Sequence, residues 1–393
     1  MNIKKQLKKN ETSEQIEARM LDFVRLETFL DSSKHNRFTD LDKLVTSKTF
    51  IENKKRIESL SYKKSDLRKT EKLHQKLSKK KDIKKYLVDN THTVKDQNLL
   101  TNFIELDNKI KSSEFINEKN FLINKNRFQT TEDYQKLQEY NQLIQDNEVI
   151  AFRKYNNDSR YQEFRSLNSK ISEDFSSSAI DTNLWTHTED RTDGLLNKNI
   201  GNNNSRFYFT NGENVRINNN RISLNTKKES TKGIYLDPVV GFKEKVFEYS
   251  SAYLSTFNKF SLQYGKIEAK IKVGSMDINQ VFGLRDSKSN SHIDIIKTID
   301  TKKAECGIFH NNKSQSEQIK KVALNENFYI YSLIWTANKL EWRINDVTVF
   351  STTNNIPTNP MFICLYNSIN EKTKSTNTDT IIDWIKVYAP KEQ

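Results

Sequence analysis

All nine Gly and all four Pro of this 393-residue chain lie from Gly194 onward. Helix interiors exclude both residue types, whereas tight turns between strands depend on them. The first half is therefore expected to be helical, and sheet is expected only in the second. The length suits two domains of ordinary size. Hydrophobic residues make up 35% and charged residues 29%, a balance that suits a chain partly elongated or open.

Residues 1–172 read as a helical, basic, repeat-containing arm. Ile16, Met20, Phe23, Val24 and Phe29 recur at helical spacing, as do Tyr134, Leu137, Tyr140, Leu143 and Ile144. L-D-K-L-V-T-S-K-T-F-I-E-N-K from Leu41 matches L-D-N-K-I-K-S-S-E-F-I-N-E-K from Leu106. Two copies of a unit of roughly 65 residues argue for stacked helical hairpins, neither able to bury its apolar stripe alone. Ser47, Ser112 and Thr131 stand where N-caps are expected. The arm has 36 Lys/Arg against 26 Asp/Glu and so holds most of the net charge of +13. Six His, none paired at ligand spacing, give no zinc site. The lysines Lys79, Lys80, Lys81, Lys84 and Lys85 lack interleaved aromatics, which argues against nucleic acid as a partner. The expected role is mechanical: an anchor that docks to a protein assembly partner or forms a homo-oligomer.

Residues 173–393 change character, with aromatic residues, Asn-rich turns and short alternating runs. In Y-G-K-I-E-A-K-I-K-V, Ile267, Ala269, Ile271 and Val273 alternate with Lys266, Glu268, Lys270 and Lys272. Strict period two predicts a strand with one buried and one wet face. About twelve such strands, the last three at 347–351, 360–367 and 380–389, argue for a two-sheet antiparallel sandwich that folds alone. Cys306 and Cys364 are too few to imply a disulfide framework.

E-D-F-S-S-S-A-I-D-T-N-L-W (Glu173–Trp185) resembles the opening of glycoside hydrolase family 16, the laminarinase and lichenase family. Tyr253–Val273, Asn327–Phe350 and Ile381–Tyr388 are similar to that family's most recognisable strands, in the family's order. The resemblance implies a concanavalin-like β-sandwich, or jelly roll, whose concave face forms a glycan cleft. The family pattern is Glu-x-Asp followed by a second Glu. This chain offers His292-Ile293-Asp294-Ile295-Ile296-Lys297. The resemblance therefore places His292 at the nucleophile position, and Ile296, or Lys297 if the strand is bulged, at the acid position. Retaining hydrolysis needs two carboxylates about 5–5.5 Å apart, and of the family set only Asp294 is kept. Where the family usually carries a Trp, V-F-G-L places Gly283. The domain is expected to be a pseudoenzyme. Expected glycan contacts are His292, Asp294, Tyr253, Phe309, His310 and Tyr366, since planar rings stack on sugar faces. Trp185, Trp335 and Trp384 are expected in the core. No cofactor is required. The resemblance admits a structural calcium, with Asp383 at the position of its side-chain ligand.

The N-terminus has a positive start with no apolar run behind it, and no window is long and apolar enough for a membrane span. The expectation is cytoplasmic synthesis without export or membrane. That fits a fibre or decoration protein of a bacteriophage virion, which meets a surface polysaccharide only after lysis. Two other readings stand beside it. One is an active endo-glucanase using another carboxylate pair, for which Asp286, Asp294 and Asp300 are the nearby acids. The other is a purely structural protein without ligand.

Overall fold

Helices occupy the chain as far as Arg165 and strands take over from Leu167 in a computed structural model that describes residues 3–89, 93–189 and 199–391. The chain divides into two compact units, and neither boundary falls at residue 172. One unit is Asp22–Asn156. The other joins Met1–Leu21 to Asn157–Gln393.

The helical unit takes in the end of α2 (Ser13–Leu30), following α1 (Ile3–Leu7) of the other unit. Then come α3 (Ser33–Val45), α4 (Lys48–Ser59), α5 (Asp66–Ser78) and α6 (Lys81–Val88). The same series recurs as α7 (Gln97–Lys111), α8 (Ser113–Ile123), α9 (Glu132–Leu143) and α10 (Asn147–Tyr155). Short 3-10 turns at Tyr62–Lys64 and Arg127–Thr130 hold matching places. Ser47, Ser112 and Thr131 cap their helices, accepting from the backbone amides of Phe50, Phe115 and Tyr134. The two series do not stack as hairpins. Instead α3 packs on α9 while α5 packs on α7, an exchange of equivalent helices.

Side chains repeat that exchange. Tyr140 stacks on Phe38 with ring centroids 6.0 Å apart and donates to Asp42 at 2.8 Å. At the corresponding places His74 stacks on Phe103 at 5.0 Å and lies 3.1 Å from Asp107. Phe50 and Phe115 are buried and Ile51 and Ile116 exposed at equivalent helix starts. Each series thus buries its stripe largely against the other, so neither has a complete core alone.

The other unit is a sandwich of two sheets. The smaller runs β12 (Lys313–Lys320), β11 (Lys303–His310), β10 (His292–Asp300), β9 (Asn279–Arg285), β16 (Phe362–Ser368) and β7 (Tyr253–Ser255). The larger begins β15 (Val347–Thr352), β14 (Leu340–Ile344), β13 (Tyr329–Trp335), β8 (Gly265–Lys272) and β17 (Asn377–Pro390). It continues through β5 (Arg221–Asp237), β6 (Gly241–Ser251) and β3 (Phe207–Phe209). β1 (Leu167–Glu173) joins β17, while β2 (Ile200–Gly201) and β4 (Val215–Asn218) join β5. Between the sheets lie Ile267, Ala269 and Ile271 of β8, with Trp185, Trp335 and Trp342.

The alternation in β8 predicts a wet outer face, and here the structure differs. Glu268 is 3% exposed and Lys270 6%. The start of the chain covers this side of the sheet. Ile3 enters the main core, and Ile16 packs with Ile330 and Trp384. Glu17 accepts from Lys270 at 2.8 Å and from the Trp384 indole at 2.6 Å. Arg19, 4% exposed, pairs with Glu11 at 2.9 Å and with Asp346. α11 (Ser159–Arg165) adds Glu163, 2.9 Å from Arg343 and 3.5 Å from Lys266. Buried charges need such partners. That is why a face that reads as solvated is closed by segments distant in sequence.

The loops at one end are tied by Asp277. It accepts from the Ser275 and Ser375 hydroxyls, at 2.6 and 2.5 Å, and from the Lys374 and Ser375 amides, at 2.7 and 2.9 Å. Burial alone would raise its pKa, but these donors outweigh it and hold the carboxyl down at about 2. A depressed carboxylate stabilises the fold above its unfolded pKa, and that contribution is lost as pH falls through the folded value. Asp277→Asn is therefore expected to cost about 1–2 kcal/mol at neutral pH, allowing for solvent screening. The gap from the unmodified chain should close between about pH 4 and pH 2 in denaturant melts taken across pH.

Candidate functional site

The outward face of the smaller sheet is built around a bulge in β10. Asp294 pairs with Gly283 of β9 and Ile296 with Phe282, so Ile295 is an extra residue. Ile293, Ile295 and Ile296 all enter the core. Asp294 and Lys297 thereby share the outer face with His292, and Lys297, rather than Ile296, takes the bulged position. The Trp342 indole donates to the Asp294 carbonyl at 3.0 Å and pins the bulge from the core side.

Register then fixes the neighbours. His292 lies between Phe309 and Arg285, Asp294 between Gly307 and Gly283, and Lys297 between Glu305 and Val281. Small residues on both sides of Asp294 leave a trough at the centre of the face. A Cβ on Gly283 would lie 2.4 Å from the Ile293 carbonyl oxygen, so a side chain there requires the backbone to move.

The charges are paired. Arg285 lies 3.5 Å from one Asp294 oxygen and Lys297 4.0 Å from the other. Arg285 also donates to the Tyr366 hydroxyl and sits over that ring, 5.5 Å from its centroid. The His292 ring stacks on Phe309 at 5.3 Å, and its Nδ1 lies 3.1 Å from the Asn290 carbonyl oxygen. A carbonyl only accepts, so Nδ1 carries the proton and Nε2 is the acceptor of the neutral ring. Burial first, then Arg285, hold the His292 pKa below its ordinary value against the pull of Asp294. The imidazole is accordingly neutral at neutral pH.

Of the expected glycan contacts, His292, Asp294, Phe309 and Tyr366 share this face. Tyr253 is on the same side, but at 5% exposure it is sealed among Phe209, Phe362 and Tyr366. His310 points the other way, because side chains alternate along β11, and lies 2.8 Å from the Ser291 hydroxyl. Asp286 and Asp300 do not join Asp294. Asp286 accepts from Lys288, Ser289 and Asn359 in a loop, and Asp300 pairs with Lys303 at 3.6 Å. Sequence reading missed Arg285 and Glu305. Their alternation with Gly283 and Gly307 along two strands flanking β10 is the signal that places them on this face.

Asp383 does not fit a calcium ligand. Arg221 donates to one oxygen at 2.6 Å and Lys270 lies 3.0 Å from the other. Two cationic side chains already neutralise the carboxylate and repel a divalent ion. Among the described residues no group of three His, Cys, Asp or Glu is placed to hold a metal. No helix among them is long and apolar enough to cross a membrane.

A model of glycosyl hydrolases family 16 matches residues 202–386. Among solved structures, the laminarinase catalytic domain from Thermotoga maritima is 20% identical, with 58% of this chain and 100% of that chain covered and a TM-score of 0.47. For the endo-1,3-beta-glucanase (laminarinase) catalytic domain from Thermotoga petrophila the values are 20%, 57%, 99% and 0.46. For the endo-beta-1,3-glucanase from Pyrococcus furiosus they are 17%, 58%, 96% and 0.46. No curated protein matches the chain significantly. Residues 202–386 are thus similar to glycosyl hydrolases family 16, and the family model does not cover the helical elements that precede them.

Proposed function

We propose that the β-unit binds a neutral polysaccharide on the outer face of its smaller sheet without cleaving it. The observation that carries this reading is the state of Asp294, the one retained family carboxylate, which is flanked by Arg285 and Lys297. A retaining site needs a second carboxylate across the scissile bond. The neighbours of Asp294 are cations instead, and neither an ammonium nor a guanidinium is a tuned carboxylic acid. Glu305, opposite Lys297, balances the charges of the face, which suits a neutral ligand. Phe309 supplies a planar surface.

The helical unit is proposed as the carrier. Its reciprocal core is built from packing contacts, and its exposed lysines suit docking to an assembly such as a bacteriophage particle. Phe309→Ala in the full chain is expected to weaken binding of a soluble β-glucan about tenfold, equal to about 1.4 kcal/mol. Titration calorimetry against the unmodified chain reads this directly. Equal affinity for both chains would remove this face from the account.

A further inference from the structure

We infer that the far end of the β5–β6 hairpin is a contact surface for a second copy of this chain. Beyond Lys228 the two strands leave the body of the sheet as a ribbon. Among the described residues, the β5 edge is met by β2 at Ile234 and Tyr235, and β3 pairs with β6 from Tyr249 onward. The ribbon exposes large apolar side chains: Val239 is 90% exposed, while Leu236, Val240, Phe242 and Val246 lie between 51% and 65%. Apart from Leu21, no other large apolar side chain among the described residues of this unit is exposed. Water-exposed apolar surface gathered at one place marks a partner.

Charge identifies the partner. Register puts Lys232, Ile234 and Leu236 on one face with Val246, Glu244 and Phe242 opposite them. On that face one cation and one anion border the apolar residues, and neither Lys232 nor Glu244 is in an ion pair among the described residues. A two-fold axis along the ribbon lays Leu236 on Phe242 of the second copy and brings Lys232 beside its Glu244. The reverse contact forms at the same time, which is the self-complementarity an isologous dimer requires. An anionic lipid surface would need spare cations. The remaining two are engaged: Lys243 pairs with Asp237 at 3.5 Å, and Lys245 donates to the Ser205 carbonyl at 3.1 Å.

Sedimentation velocity of the full chain over a concentration series tests this. The unmodified chain is expected to show a monomer–dimer equilibrium, and Leu236→Ser with Phe242→Ser is expected to be monomeric. Lys232→Glu should weaken dimerisation at least tenfold, and adding Glu244→Lys should restore it, because the pair is re-formed with its signs exchanged. Circular dichroism of each variant, unchanged from the parent, secures the comparison. A chain that stays monomeric throughout, a dimer indifferent to Phe242→Ser, or a double exchange that fails to restore would each overturn the inference. Co-sedimentation of a monomeric chain with phosphatidylserine vesicles would overturn it in favour of a membrane.

Discussion

Arg19→Ala is expected to destabilise the β-unit by about 3–5 kcal/mol, since removing one partner of a buried ion pair leaves the other charged and desolvated. Arg19 is 4% exposed between Glu11 and Asp346. The Asp346 carboxyl has its pKa raised by burial, but Lys266 and Arg19 outweigh this and hold it below the usual range. Without Arg19 that anion loses one of its two main supports. Arg25→Ala is the control: Arg25 pairs with Asp22, its side chain is 48% exposed, and exposed pairs contribute about 0–1 kcal/mol. All four Trp lie in the β-unit, so guanidinium melts followed by tryptophan fluorescence report on it alone. The same reasoning expects residues 173–393 to be markedly less stable than the unit with its N-terminal segment and α11. Equal midpoints for Arg19→Ala and Arg25→Ala would mean that the N-terminal cover contributes nothing.

The second large effect concerns chemistry. The unmodified chain is expected to release no reducing ends from β-1,3 or β-1,4 glucans. His292→Glu with Lys297→Glu is expected to produce slow turnover, because it puts carboxylates on both sides of Asp294 along one strand. The bulge at Ile295 already sets residue 297 on the required face, so the backbone need not change. Arg285 then stays as the single cation beside Asp294. Turnover by the double variant should need one carboxyl protonated and one ionised, and so fall on both sides of an optimum pH. The same turnover in the unmodified chain would contradict the reading.

The sandwich was legible in the sequence because one-sided strands alternate with period two, and β8 shows that pattern without interruption. β12 carries no such signal, because K-S-Q-S-E-Q-I-K buries a single apolar residue, Ile319. An edge strand with so little burial has no apolar alternation to read. The similarity of the stretches from Leu41 and Leu106 is visible in the sequence, but the packing of α3 on α9 and of α5 on α7 is not, since periodicity names a buried stripe and not its partner. The cover over β8 was hidden for the same reason: Glu17 and Arg19 look like ordinary helix-surface charges until Lys270 and Asp346 are placed beside them. At the candidate site the chain order of His292, Asp294 and Lys297 was visible. Arg285 and Glu305 reach it only through register, which a single sequence does not display.

The most direct measurement follows binding and cleavage in one sample: full-length chain is titrated with a soluble β-glucan, and reducing ends are assayed in the same tube. The account predicts saturable binding, weakened by Phe309→Ala, with no reducing ends above background. It is contradicted by an absence of binding, or by reducing ends whose release disappears in Glu305→Gln, which would make Asp294 and Glu305 a working carboxylate pair.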